Sequence, residues 1–125
     1  MSAPLQHRSL LAQAAIAAYL IVKHGTADNT AALATASTDA LIGTSDALGK
    51  DAGEMVDYPT AGTGEVKLGG VVTRGQPITA DAASKGVAAA PAAGVNARII
   101  GFALQSGVLD DVIDYQIAPG QIQGA

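Results

Sequence analysis

Cysteine and tryptophan are absent from this 125-residue chain, and its aromatic side chains come down to three tyrosines and one phenylalanine. Without thiols there are no disulfides, no thiolate nucleophile and no Cys-ligated metal site, and folding needs no oxidising compartment. Charge is sparse as well. Asp, Glu, Lys and Arg make up 14% of the residues, against about 25% in an ordinary soluble domain. The seven cations (Arg8, Lys23, Lys50, Lys67, Arg74, Lys85 and Arg98) are scattered through a chain of net charge −4. A nucleic-acid surface needs them clustered, so that partner is excluded. A membrane-length apolar run is missing too. Leu10–Val22, interrupted by Gln13, falls short of the about 20 residues a span requires. Its weak basic flank, His7 and Arg8, makes a poor export signal, so synthesis in the cytoplasm is expected.

What remains is rich in alanine and glycine, with Val, Ile and Leu in short runs. Such side chains bury little area each and build a thin core. A sparsely charged, small-residue surface suits a protein covered by neighbours, either copies of itself or a larger lattice. The length fits one domain.

The second half echoes the first. Leu41-Ile42-Gly43 returns as Ile99-Ile100-Gly101 and Gly49 as Gly107, both 58 residues on. Met55-Val56-Asp57-Tyr58 returns 57 residues on as Val112-Ile113-Asp114-Tyr115, and Leu20-Ile21-Val22 precedes Ile78-Thr79-Ala80 by 58. Duplication points to a scaffold of two paired β-rich halves, since structural turns and core positions recur where catalytic side chains do not. Gly43 and Gly101 read as bulges or close backbone approaches. Tyr58 and Tyr115 read as rings covering the ends of the core with their hydroxyls in water.

Turn signals recur every few residues after position 18. They leave candidate strands at Ala18–Lys23, Ala31–Ala36, Ala40–Thr44, Glu54–Tyr58, Gly64–Leu68, Val71–Arg74, Pro77–Ala80, Gly86–Ala90, Arg98–Leu104 and Asp111–Ile117. The expected fold is therefore all-β, a small β-sandwich or barrel of short strands with an internal two-fold repeat. Residues 1–18 read as an N-terminal arm and 19–125 as a single β-rich domain with half-repeats at about 19–62 and 75–120. In the arm, Ser9 is placed to cap an Ala-rich helix over Leu10–Ala18, and an extended segment is the alternative.

No motif carries chemistry. Gly43–Lys50 imitates a phosphate loop, but it has five residues between its glycines and Asp51 where a hydroxyl belongs. Asp46, Asp51, Glu54 and Asp57, like Asp110, Asp111 and Asp114, lack calcium-loop spacing and read as a solvated face. His7 and His24 form no zinc-ligand pair, and no serine sits in a Gly-x-Ser-x-Gly elbow. The expectation is a non-enzyme with no catalytic residue, no cofactor and no metal.

The run Gly69-Gly70-Val71-Val72-Thr73-Arg74-Gly75-Gln76-Pro77-Ile78-Thr79-Ala80-Asp81 has its own grammar: glycine, short strand, then Gly-x-Pro-Ile-Thr-x-Asp. A small-residue turn and an Ala-rich strand follow it, then Arg98–Leu104 and Val112-Ile113-Asp114-Tyr115. In that order, over Tyr19 to Ile117, the chain resembles the capsid cement, or decoration, proteins of tailed bacteriophages. The resemblance implies a virion protein bound in many copies to the outer capsid surface. It implies the major capsid protein as partner, self-association as a homo-trimer (with a dimer as the alternative), and neither nucleic acid nor membrane. Leu5, Leu10, Leu11 and Ile16 are the candidate capsid or subunit contacts in the arm, unless they cover the chain's own core. Another lattice module, such as a head-fibre base or surface-layer component, and a small ligand-binding β-barrel are the competing readings.

Overall fold

The computed structural model describes residues 4–125, with side chains from Gln6 onward. Nine strands run in chain order: β1 (Pro4–Ala12), β2 (Ile21–His24), β3 (Thr30–Leu33), β4 (Leu41–Thr44), β5 (Met55–Lys67), β6 (Pro77–Ala80), β7 (Gly86–Ala88), β8 (Asn96–Ala103) and β9 (Val112–Gln123). They form one sheet, ordered β4-β2-β3-β1-β5-β9-β8-β6-β7, curled into a half-barrel. All its ladders are antiparallel except β1–β3. There is no helix among the described residues.

The helix considered over Leu10–Ala18 is therefore corrected. Strand β1 pairs with β5 from Pro4↔Gly62 to Leu11↔Met55, and this ladder gives its backbone groups the partners a helix would have supplied internally. The strands expected at Glu54–Tyr58 and Gly64–Leu68 are one, β5, which runs straight through Pro59. Val71–Arg74 is no strand; it holds a single bridge, Val72 to Gly107.

Hydrogen bonds show how the two halves correspond. Ile16 and Lys50 exchange backbone bonds of 2.8 and 2.8 Å, and Val72 and Gly107 do the same at 3.0 and 2.9 Å. The Ala12 N–H donates to the Glu54 carbonyl and the Leu68 N–H to the Asp111 carbonyl, both at 2.8 Å. Left-handed backbone recurs in step, at Tyr19 and Gly75, Asn29 and Ser84, and Gly53 and Asp110. The repeating unit therefore begins at β1. The second half of β5 stands where β1 stands, and the first half of β5 stands where β9 begins. Offsets run from 55 to 58, so Ile21 matches Pro77 rather than Thr79, and Lys50, not Gly49, matches Gly107.

The core repeats with the backbone. Leu10, Ala12, Ile16, Val22, Ala31, Val56 and Tyr58 cluster in the first unit. Their counterparts are Val66, Leu68, Val72, Ile78, Gly86, Ile113 and Tyr115. Gly86 is buried and the other six lie in the second cluster, joined there by Ile21, Ala34 and Leu41 of the first unit.

Gly43 and Gly101 are the close approaches the sequence suggested, and they are not equally tight. A Cβ on Gly101 would lie 1.8 Å from the Gln116 carbonyl oxygen, whereas one on Gly43 would lie 3.3 Å from that of Pro59. Replacing Gly101 by Ala should destabilise the protein by about 3 kcal/mol or more, because backbone blocks the space. Gly43→Ala should cost clearly less. Urea unfolding of the two variants measures the order, and equal losses would contradict this geometry.

Candidate functional site

The described residues hold no group of three or more metal-ligating side chains. Three titrating groups are displaced from their ordinary values, each by a structural cause. The Thr35 amide, with the Lys23 charge and the Ala36 amide, holds the Asp39 carboxyl below its usual range against some desolvation. A hydrogen bond from Lys85, 2.6 Å long, does the same for exposed Asp110. Burial pushes Tyr115 up to about 12, although its hydrogen bond with Thr44 pulls the other way.

That last pair joins the two units. Tyr115 is fully buried and its hydroxyl lies 3.0 Å from Thr44 Oγ1, so it does not reach water as the sequence suggested. Beside it the Ile21 N–H donates to the Ser84 carbonyl (2.7 Å), the Ser84 hydroxyl to the Ala34 carbonyl (2.5 Å), and the Lys67 N–H to the Tyr19 carbonyl (2.8 Å). The strand ends of the first unit are thus plugged into the core of the second.

The four arm residues are distributed differently from one another. Leu10 and Ile16 are buried in the first-unit core, Leu11 is exposed opposite Met55 on β5, and the Leu5 side chain lies outside the described residues. Two of the four are thus committed to internal packing.

The exposed apolar surface concentrates elsewhere. Val71, Leu104, Val108 and Leu109 are 73%, 41%, 54% and 58% exposed. They lie on the β5–β6 and β8–β9 connections, which the Val72–Gly107 bridge clips together and the Arg74 N–H reinforces by donating to Ser106 Oγ (2.9 Å). The matching connections of the first unit carry Ala15, Ala47, Asp51 and Ala52 in those places. Four large apolar side chains are exposed on this tip, whereas the sister tip exposes one, Leu48. Sequence reading missed it because Val71 and Leu104 fall at the ends of expected strands and Val108-Leu109 is a short pair between Gly107 and Asp110. The available signal was Val and Leu recurring inside turns, where polar residues ordinarily stand.

No family model and no curated protein matches the chain. A structural likeness exists to the N-terminal base of the head fibre protein gp8.5 of bacteriophage phi29, with a TM-score of 0.63 and 13% identity over 94% of this chain and 98% of that one. At that identity the likeness shows a shared fold.

The Tyr115–Thr44 link predicts alkaline behaviour. The folded-state value is raised, so its stabilisation is complete below pH 10 and is lost as pH rises from there through about 12. Tyr115→Phe should remove that dependence and cost about 1–3 kcal/mol at neutral pH, because Thr44 is left buried without its partner. Denaturation curves between pH 7 and 12 check both statements.

Proposed function

We propose that this protein is a structural component of a tailed-bacteriophage head, seated in many copies on the outer surface of the coat lattice. The major capsid protein is its partner and the apolar tip of the second unit is its contact. The observation that carries this reading is the rigid exposure of Val71, Leu104, Val108 and Leu109. The family resemblance and the fold shared with a head-fibre base support it. The protein transforms no substrate. It acts by adding contacts to an assembled shell, and binding the assembled state preferentially stabilises that state by linkage. A stable contact of about 800 Å² per partner, repeated over a lattice, makes a small gain per copy large in sum. Self-association as a homo-trimer fits a sparsely charged surface.

A second reading, the seat of a head fibre, is favoured by the likeness to the gp8.5 base, which is matched along nearly its whole length. The two differ in what they do to the shell. Cement raises the temperature at which heads release DNA, whereas a fibre seat leaves it unchanged.

Purified protein should sediment with mature heads. Val108→Asp with Leu109→Asp should weaken that binding about tenfold or more, since charge is placed in a desolvated contact. Leu48→Asp, on the first-unit tip, should leave binding unchanged. Protein that stays in the supernatant, or tip variants that bind like the parent, would overturn the proposal.

A further inference from the structure

We infer that a cavity of about 440 Å³ at the mouth of the first unit binds a carboxylate carried on an aliphatic body, with Arg8, His24 and Tyr58 as its donors. This site is separate from the second-unit tip and does not rest on what that tip contacts.

Three inward-facing rows of side chains end there. On β1 Leu10 gives way to Arg8, on β2 Val22 to His24, and on β5 Val56 to Tyr58, each two residues along the same face of its strand. Arg8 lies directly opposite Tyr58 across the β1–β5 ladder. The second unit ends the same rows in Gly64, Ala80 and Tyr115, with Gly64 opposite Tyr115. There the small residues leave room for a guest. A Cβ on Gly64 would lie 2.9 Å from the Tyr115 ring, and the Tyr115 hydroxyl is bonded to Thr44, which the first unit delivers. A tyrosine at this position thus receives a polar group from outside its own unit. At the first-unit mouth the tyrosine is kept, and Arg8 and His24 replace the small residues beside it.

The donors here are free. Tyr58 is 5% exposed, yet its hydroxyl has no hydrogen-bond partner among the described residues and is not one of the side-chain oxygens sealed from solvent. Arg8 and His24 are exposed and make no ion pair or side-chain hydrogen bond among those residues. Arginine offers five donors and no acceptor, the tyrosine hydroxyl can donate, and histidine keeps an N–H in either charge state, so the complementary group is an anionic acceptor. No acid lines the cavity. Its other polar residues, Gln6 and Thr60, are neutral, and the Thr60 hydroxyl already donates to the Gln6 carbonyl at 3.4 Å. Asp28 stands in an adjoining hollow and forms no ion pair with Arg8 or His24. One permanent cation with a planar fork suits a single negative charge shared by two oxygens, which is a carboxylate rather than a phosphate dianion. Leu41, Ile42, Ile117 and Pro119 supply apolar walls for the aliphatic remainder.

The probes are pentanoate and its neutral isostere pentanamide, titrated into isotope-labelled protein while amide resonances are followed. Saturable shifts at Arg8, His24, Tyr58 and Ile117 are expected with pentanoate, and binding about tenfold weaker with pentanamide, a gap typical of one charge-assisted contact. Arg8→Gln should weaken pentanoate binding about tenfold. Tyr58→Phe should weaken it several-fold and leave the urea midpoint unchanged, because that hydroxyl bonds to nothing in the free protein. No shifts, equal binding of the amide, or undiminished binding by a folded Arg8→Gln protein overturns the inference. A Tyr58→Phe protein that loses stability yet binds pentanoate like the parent overturns it too, and decides the matter if Arg8→Gln fails to fold. Sedimentation with heads separates the two sources of the acid. An acidic side chain on the coat surface makes Arg8→Gln weaken head binding, whereas a free acid leaves head binding as it was. Protein that binds pentanoate but never heads keeps this site and loses the proposed function.

Discussion

Strand β5 belongs to both units, and the rest of the molecule depends on that sharing. Its first half, opposite β1, buries Val56 and Tyr58 in one core; its second half, opposite β9, buries Val66 in the other. A strand cannot stay hydrogen-bonded at one end while the other end slips, because a one-residue shift turns every inward side chain outward. The register of the first unit therefore sets that of the second. Buried Tyr115, reaching back to Thr44, closes the loop from the other side. Cooperation of this kind lets a chain poor in large side chains hold one conformation, since no small core has to stand alone.

A duplicated scaffold separates what the fold requires from what the surface is for. Positions serving the fold agree between units in role, as Ile16 and Val72 do at their bridges and Val56 and Ile113 do in their cores. Two disagreements between the units are the apolar tip of Val71, Leu104, Val108 and Leu109 and the exchange of the Lys23–Asp39 ion pair for Thr79 and Ala97. Both fall on the second unit. The first unit pairs Lys23 with Asp39 there, whereas the second leaves apolar surface exposed and the Thr79 hydroxyl buried without a hydrogen-bond partner among the described residues.

Much of this was legible in the sequence, and the unread part has physical reasons. The all-β class, the duplication and the paired glycines 43 and 101 followed from turn spacing and aliphatic pairs. The unit boundary did not, because β1 and the second half of β5 share only the alternation of buried positions. Leu10 and Ala12 answer to Val66 and Leu68 with no identity between them. Left-handed turns hid in the same way, since Tyr19 matches Gly75 and Gly53 matches Asp110 in conformation but not in residue. The extended conformation of Leu10–Ala12 overrode helix propensity because β5 offered a complete ladder, an advantage visible only in three dimensions. The candidate site was the least readable part. Its apolar residues are scattered along two connections, which the Val72–Gly107 bridge and the Arg74–Ser106 hydrogen bond bring together.

The same hydrogen bonds decide whether a second copy of the chain can dock by this joint. Docking of the first unit onto the second uses the Ile21 N–H, donated to Ser84, and the Lys67 N–H, donated to Tyr19. A further unit docking in the same way would present Pro77 in place of Ile21, and proline has no N–H to give. At the opposite end, the N–H of Leu11, which matches Lys67, is already spent on the Asn29 carbonyl at 2.9 Å. The plug lacks its donor and the socket is closed, so another copy cannot extend the array by this joint. Contacts between copies, and with any lattice, must therefore use other surfaces. Among these the second-unit tip offers the densest group of exposed large apolar side chains in the described residues.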